Sequence, residues 1–254
     1  DTSVEEINHG FFSEKVLEAI EERKTIILPV FSLGRSQEIL LRLKELQDTN
    51  KLDVNIPIYF DGKLAQAYTA LYCNSKILID ESKKDFFPRN LVAVNCEIRE
   101  KLLQTDDCKI IVTTSGMGTY GPAQVYIPYF ISAKKALILF TGYTAEGTLG
   151  ADLKNATEGE FVKIGGLICK KFADVSYCNE FSAHAKSEEL IELLKKFNIL
   201  GAILVNHGQT KTKDIFAEKI LTEIDIDEVG ILNREYFFRI GSYGIVKTLS
   251  TKFK

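Results

Sequence analysis

A repeated unit of apolar strand, glycine-containing turn and amphipathic helix constrains this chain most. Residues 25–31 (TIILPVF) form a continuous apolar run, and Gly34 separates them from the helical pattern RSQEILLRLKELQ. Such a run is typical of a parallel strand buried on both faces. The unit recurs in IPIYF with GKLAQAYTALY, KIIVTT with GPAQVYIPYF, and ALILF with TLGADLKNA. We therefore predict an α/β fold in which helices flank a mostly parallel sheet.

The loops that follow these strands are the first places to look for a ligand site. In open parallel sheets, ligands bind beyond the carboxyl ends of the strands. Three such loops contain glycine: SLGR at residues 32–35, SGMGTYG at 115–121 and TGYTAEG at 141–147.

The chain opens with a predicted helix over residues 13–23. Val16, Leu17 and Ile20 recur at helical spacing. Ser13 precedes them, and a serine hydroxyl there accepts a hydrogen bond from an early helix amide. We predict Ser13 as the N-cap.

Beyond the repeated units the pattern changes to shorter elements. Short alternating segments around Gly165 and Gly166 predict a hairpin followed by a third strand. A helix is predicted near residues 213–223, and the segment EYFFRIGSYGIVKTL predicts two antiparallel strands that turn at Gly241. We place a domain boundary near Cys178.

Composition excludes several classes of protein. No apolar run reaches the roughly 18 residues of a membrane span, so we predict no membrane segment. The five cysteines are odd in number and form no C-x-x-C pair, which favours reduced thiols and a cytoplasmic protein. A net charge of -3 argues against a surface that coats nucleic acid throughout, although it allows a local basic groove.

His184 and His207 are two of the three histidines, and both lie at predicted element boundaries. His184 precedes an amphipathic helix, and His207 follows the strand AILVN beside Gly208. Neutral imidazole binds metals, and its ordinary pKa of about 6.5 also suits proton transfer. A packed or solvated histidine is an equally open interpretation for either residue alone.

The loop after KIIVTT also matches a weak dinucleotide motif. Gly116, Gly118 and Gly121 fit G-x-G-x-x-G between a strand and a helix. The acidic residue expected at the end of the next strand is missing, since the nearest is Glu146. The glycines therefore favour close approach to another anion, such as a phosphodiester, and a dinucleotide-dependent oxidoreductase is our third hypothesis.

Two further residues of these loops could contact such an anion. Arg35 lies at a helix start, where its guanidinium could clamp phosphate, although a solvated arginine fits the spacing equally well. Ser115 has no recognisable base near it in sequence, which favours a hydrogen-bonding role over a nucleophilic one.

Five stretches, taken together, resemble one family. They are ILPVFSLGRSQEILLRL, IIVTTSGMGTYGP, TGYTAEGTLGADL, FSAHA and VNHGQ, and they cover most of the chain. In this order they are similar to the β-CASP branch of the metallo-β-lactamase-fold nucleases. The resemblance is closest to the RNA-cleaving subunit of the cleavage and polyadenylation specificity factor and its archaeal and bacterial relatives.

The resemblance implies a domain organisation and two histidine roles. Residues 1–178 would be the β-CASP cap domain, and residues 179–254 the C-terminal portion of the metallo-β-lactamase domain. His184 would be catalytic, assisting proton transfer to the leaving group, and His207 would bind one of two zinc ions. We expect both imidazoles to reach one site.

The same resemblance implies an RNA site on the cap. Arg35, Ser115, Gly116 and Met117 would line the RNA cleft and bind phosphate. The implied function is that of an RNA-processing, zinc-dependent phosphodiesterase, and both internal and 5′-exonucleolytic cleavage stay open.

The family's other metal ligands have no counterpart in this sequence. An H-x-H-x-D-H cluster, a further histidine and a bridging aspartate precede the cap in the family, and none occurs here. One histidine cannot hold two metal ions that activate a hydroxide. We therefore expect this chain alone to be inactive, as a truncated form, a processed fragment or one half of a split enzyme that needs a partner chain. The resemblance also allows a homodimer.

Two departures from the family favour an alternative. Lys186 and Gln209 stand two residues after the histidines, where the family usually has Asp and Glu. If those acids orient the imidazoles, their loss weakens catalysis. The alternative is a non-catalytic paralogue that binds RNA or scaffolds an active partner.

Overall fold

The computed structural model divides the chain into two compact units, Asp1–Ser182 and Ala183–Lys254. It describes residues 10–74, 85–181, 185–199, 201–226 and 228–232 with their side chains, and residues 236–241 and 244–249 as backbone. Within these ranges, every helix is too short or too polar to cross a lipid bilayer.

The first unit is built on a six-stranded sheet in which every pair of neighbouring strands is parallel. Its order is β3-β2-β4-β1-β5-β8, and a separate hairpin comprises β6 and β7. The predicted α/β class with a mostly parallel sheet is confirmed. The strands are β1 Thr25–Pro29, β2 Ile58–Asp61, β3 Leu91–Ala93, β4 Lys109–Thr113, β5 Ala136–Phe140, β6 Phe161–Ile164, β7 Leu167–Lys170 and β8 Asp174–Tyr177. The helices are α1 Gly10–Glu21, α2 Arg35–Asp48, α3 Lys63–Asn74, α4 Cys96–Leu102, α5 Ala123–Phe130 and α6 Leu149–Asn155.

Strands β4, β1 and β5, which are adjacent in this sheet, are buried along their whole length. Alternation along β1 sends Ile26 and Leu28 into one apolar cluster and Ile27 into a second. Helices α1 and α2 cover the first cluster, and α5 covers the second. Burial on both faces explains why these strands read as continuous apolar runs.

The start of α1 differs from the prediction. The helix begins at Gly10, so Ser13 lies inside it and is not the N-cap. Its hydroxyl oxygen accepts hydrogen bonds from Arg42 Nε at 3.0 Å and Nη2 at 2.8 Å. The Glu180 carboxylate caps the helix instead, accepting from the amides of Phe11 and Phe12 at 2.9 Å each. Because Glu180 lies 169 positions from Phe11, residues near the start of the helix do not indicate this cap.

The predicted hairpin and the predicted third strand belong to different sheets. Strands β6 and β7 pair around Gly165 and Gly166, as predicted. Strand β8 leaves the hairpin and extends the main sheet beside β5, with Leu137 opposite Asp174. The third strand thus belongs to the parallel core rather than to the hairpin.

The second unit is smaller and also mixes helices with strands. Its elements are α7 Ser187–Leu194, β9 Ala202–Val205, α8 Thr210–Glu223, β10 Glu228–Ile231, β11 Tyr236–Gly241 and β12 Gly244–Leu249. Strands β9 and β10 are parallel, whereas β11 and β12 are antiparallel and pair Gly241 with Gly244. The predicted helix and the two antiparallel strands near Gly241 are confirmed.

A lysine is buried at the amino end of β4. The whole Lys109 residue is only 2% exposed. Its Nζ donates to the carbonyl oxygen of Thr105 at 2.5 Å and to the Thr105 hydroxyl at 3.0 Å, and lies 5.6 Å from the centroid of the Phe130 ring. Burial lowers the pKa of the Lys109 ammonium, because desolvation penalises the charged form.

We expect Lys109→Met to raise the free energy of unfolding by about 1 kcal/mol at neutral pH, because it removes a desolvated charge. In the unfolded chain Lys109 keeps its ordinary, higher pKa. Between the folded and the unfolded pKa the unfolded wild type therefore binds more protons than the folded one, so the free energy of unfolding of the wild type rises with pH in that range. The advantage of the variant should therefore shrink as pH approaches 10. Urea unfolding at pH 7 and pH 10 measures it, with exposed Lys101→Met as the control.

Candidate functional site

The loops after β1, β4 and β5 lie at one edge of the sheet. These strands are adjacent and parallel, so their carboxyl ends point the same way. The amide of Val30 donates to the Thr113 carbonyl at 2.8 Å, and the Thr141 hydroxyl donates to the Pro29 carbonyl at 3.3 Å. The three glycine-containing loops singled out by sequence therefore start side by side.

Arg35 ties this edge together from the first residue of α2. Its Nη1 donates to the Thr141 carbonyl and its Nη2 to the Phe181 carbonyl, while Nε donates to Glu38 at 3.1 Å. The side chain is only 13% exposed, and its guanidinium lies 5.5 Å from the centroid of the Phe181 ring. These contacts make Arg35 a bridge between α2, the loop after β5 and the segment after β8. A contact between Arg35 and RNA stays a prediction.

Ser115, Gly116 and Met117 brace the loop after β4 against its neighbours. The Ser115 amide donates to the Tyr120 carbonyl at 3.1 Å, and the Ser115 hydroxyl accepts from the Tyr120 amide at 3.2 Å. The Met117 carbonyl accepts from the Gly150 amide at 3.0 Å. A Cβ on Gly116 would lie 3.0 Å from the backbone nitrogen of Phe31, so a larger residue would crowd the loop after β1.

The other two glycines of the G-x-G-x-x-G pattern serve the same tight turn. Gly118 has φ 71° and Gly121 has φ 64°, both in the left-handed region that favours glycine. A Cβ on Gly121 would lie 3.0 Å from the carbonyl oxygen of Thr114, which also accepts from the Ala123 amide at 2.7 Å. Loop packing accounts for the motif without a dinucleotide.

A buried ionic cluster at the end of β2 is the feature that sequence reasoning missed. The Asp61 carboxylate, in a residue only 1% exposed, accepts from Arg99 Nε at 2.7 Å, Arg99 Nη2 at 2.8 Å and the Tyr126 hydroxyl at 2.7 Å. Hydrogen bonding to Asp61 raises the pKa of Arg99, and burial raises the pKa of Tyr126. The available signal was an aspartate that ends an apolar strand directly before Gly62.

In the second unit, His207 lies between β9 and α8 with an exposed side chain. Its φ is 61°, and its amide donates to Asn206 Oδ1 at 2.9 Å. His184 lies outside the described residues, so its expected approach to His207 stays a prediction. Within the ranges described above, no three His, Cys, Asp or Glu side chains lie together as metal ligands. These residues supply one candidate zinc ligand rather than a zinc site.

Lys186 and Gln209, the two departures from the family, both occupy helix N-cap positions. Lys186 precedes α7, and its amide donates to Glu189 Oε2 at 2.6 Å. Gln209 precedes α8, and its side chain makes no hydrogen bond to the amides of that helix. An acidic residue is stabilised at such a position by the helix dipole and the free amides. Neither Lys186 nor Gln209 carries a carboxylate that could supply this stabilisation to its helix.

Comparisons with known proteins decide the family. The model of the Beta-Casp domain matches residues 36–153, and that of the Zn-dependent metallo-hydrolase RNA specificity domain matches residues 172–229. The chain belongs to the β-CASP family of metallo-β-lactamase-fold proteins. The resemblance inferred from five stretches of sequence is thus confirmed, and the first match includes the loops after β4 and β5.

Three relatives show how far this β-CASP similarity extends. An RNase J-like protein of Methanocaldococcus jannaschii is 34% identical over 84% of this chain and 50% of its own length. The transcription termination factor FttA of Methanococcus maripaludis is 31% identical over 78% of this chain and 33% of its own length. Cleavage and polyadenylation specificity factor subunit 3-I of Arabidopsis thaliana is 28% identical over 84% of this chain and 31% of its own length. The chain spans half or less of these relatives.

We expect Asp61→Asn to destabilise this β-CASP chain by about 3 kcal/mol, because it leaves the half-buried Arg99 guanidinium without its carboxylate. Urea unfolding monitored by circular dichroism measures the loss. The matched control is Glu97→Gln, which breaks an exposed pair with Lys101 and should change stability by less than about 0.5 kcal/mol. Equal effects for the two variants would contradict a structural role for Asp61.

Arg35→Lys should lower the free energy of unfolding by about 2 kcal/mol, because an ammonium cannot bond both the Thr141 and Phe181 carbonyls in the fork geometry of a guanidinium. Arg89→Lys is the control, since Arg89 is largely exposed and pairs with Asp48 at the surface. A loss no larger than that of the control would show that the Arg35 bridge contributes little.

Proposed function

We propose that this chain supplies the cap and the C-terminal portion of an RNA-processing, zinc-dependent phosphodiesterase. The observation that carries the proposal is the ordered match to a Beta-Casp domain and to a metallo-hydrolase RNA specificity domain over residues 36–153 and 172–229. Relatives named as RNase J-like protein and as a cleavage and polyadenylation factor subunit support the substrate class.

In this proposal the domain boundary lies near Cys178. Residues 1–178 form the cap, whose glycine-containing loops after β1, β4 and β5 face RNA. Residues 179–254 belong to the hydrolase domain. Ser115, Gly116 and Met117 shape the RNA-facing loop after β4, and Arg35 holds that surface in place through the contacts that it makes within the protein.

The two histidines have separate roles in the proposed reaction. His207 provides one imidazole ligand to a zinc ion, which suits its exposed position at the carboxyl end of β9. His184 would assist proton transfer to the leaving oxygen as the P–O bond of the phosphodiester breaks. A zinc ion bound there would supply a hydroxide nucleophile made from bound water and would stabilise the negative charge that develops at phosphorus.

The chain by itself does not cleave RNA in this proposal. It has three histidines, and in the part that the structure describes no ligand cluster for a metal forms. Activity then requires a hydrolase half that carries the other ligands, joined to this chain or bound as a partner. We place the protein in the cytoplasm, where its five cysteines stay reduced. A homodimer is compatible with this arrangement.

A second candidate is a non-catalytic paralogue that binds RNA or scaffolds an active partner. Lys186 and Gln209 favour it, because a carboxylate that could orient an imidazole is missing at both positions. The same family match supports this candidate, so only a measurement of cleavage separates the two.

The test supplies the hydrolase half, as the longer gene product or as a separate chain, and measures cleavage of end-labelled single-stranded RNA with zinc. Under the first candidate, His207→Ala should abolish cleavage and reduce bound zinc, and His184→Ala should slow cleavage by about 100-fold or more. Lys211→Ala, at a nearby exposed position, is the control and should retain activity.

Two outcomes would redirect the proposal. Full zinc occupancy without cleavage, followed by gain of cleavage in Lys186→Asp with Gln209→Glu, would favour the degenerate paralogue. Cleavage that survives His207→Ala with unchanged zinc would contradict the assigned ligand. The product lengths separate internal cutting from trimming at the 5′ end.

A further inference from the structure

Each of the three loops at the carboxyl edge of the sheet exposes one aromatic side chain. Phe31 follows β1 and is 41% exposed, Tyr120 follows β4 and is 74% exposed, and Tyr143 follows β5 and is 61% exposed. Large exposed aromatic side chains that cluster on one surface commonly mark a binding site. We call these three residues the aromatic row.

The packing around Phe31 places the row on neighbouring segments. A Cβ on Gly116 would lie 3.0 Å from Phe31 Cδ2, and a Cβ on Gly142 would lie 3.8 Å from Phe31 Cε2, so the ring sits between two glycines. Tyr143 directly follows Gly142. Tyr120 is tied to Ser115, beside Gly116, by hydrogen bonds in both directions. The three aromatic residues therefore belong to loop segments that approach one another around Phe31.

The charge of this surface points away from phosphate clamping. Residues 30–35, 114–121 and 141–147 contain only two charged side chains, Arg35 and Glu146. The Arg35 guanidinium already donates to Thr141, Phe181 and Glu38. Hydroxyls, backbone groups and aromatic faces remain, and aromatic faces stack on unpaired bases with little regard to sequence.

We propose that Phe31, Tyr120 and Tyr143 form a stacking surface for unpaired bases of single-stranded RNA. Adjacent strands lie about 4.8 Å apart, so the ends of β4, β1 and β5, from which the three loops start, span about 10 Å, a width that two or three bases can cover. The inference rests on the proposed function for its choice of RNA, and it names the side chains that engage the bases. Duplex RNA, whose bases are already stacked on each other, binds this surface poorly.

The test measures binding of the 254-residue chain to a fluorescent single-stranded RNA of about 12 nucleotides by anisotropy. Tyr143→Leu and Tyr120→Leu should each weaken binding by about 10-fold, because each removes one aromatic ring on which a base stacks. Tyr143→Phe keeps the ring and should bind within about twofold of wild type. The dependence of log affinity on log salt should stay unchanged, because no phosphate contact is removed.

Three controls separate stacking from other effects. Tyr129→Leu in α5 and Phe161→Leu in β6 remove exposed aromatic rings outside the loops and should leave binding unchanged. An abasic oligonucleotide of the same length keeps the phosphates and should bind wild type more weakly than RNA does, with no further loss in Tyr143→Leu. Unfolding midpoints of the variants should match wild type, since the side chains are exposed.

The inference is overturned if the leucine variants bind as tightly as wild type, if the abasic oligonucleotide competes equally, or if the chain binds no single-stranded RNA. Its failure is distinct from failure of the proposed phosphodiesterase. If His207→Ala abolishes cleavage but the leucine variants bind RNA as wild type does, only the stacking surface is contradicted. If the leucine variants lose RNA binding but the completed assembly does not cleave RNA, only the catalytic proposal is contradicted.

Discussion

Strand β1 is hydrogen-bonded on both sides by parallel neighbours, β4 and β5, and the organisation of the site depends on this pairing. Parallel strands point their carboxyl ends the same way, so loops that are far apart in sequence must start at the same edge. Burial of β1 on both faces places helices on either side of the sheet, so its faces are covered and loops connect the elements at its edges. The clustering of glycine-containing loops is thus a consequence of topology before any ligand is considered.

One buried and one partly buried charged side chain hold this edge in shape. Asp61 anchors the end of β2 through Arg99 and Tyr126, and Arg35 connects α2 to the carbonyls of Thr141 and Phe181. Both are charged side chains that replace lost hydration with several protein hydrogen bonds. Arg35, whose phosphate contact was implied by the family resemblance and stays a prediction, thus acts as a structural bridge within the protein.

The strand and helix pattern was readable because it depends on local chemistry. TIILPVF and ALILF contain β1 and β5, and RSQEILLRLKELQ matches α2 to within one residue. The start of α1 was not readable, because the capping carboxylate belongs to Glu180 and no spacing rule links it to Phe11. Asp61 was missed for the same reason, since its partners Arg99 and Tyr126 come from two later helices.

The sequence by itself determined the α/β class, the glycine-containing loops of the candidate site and the β-CASP family, because apolar periodicity and short motifs are properties of consecutive residues. Tertiary structure alone decided which side chains of those loops turn inward and which face solvent. Residue type alone would allow Arg35, Phe31 and Tyr143 to be exposed to solvent. Their exposure differs because β4, β1 and β5 align side by side in the folded protein. This alignment brings the Thr141 carbonyl to Arg35 and places the Phe31 ring between Gly116 and Gly142.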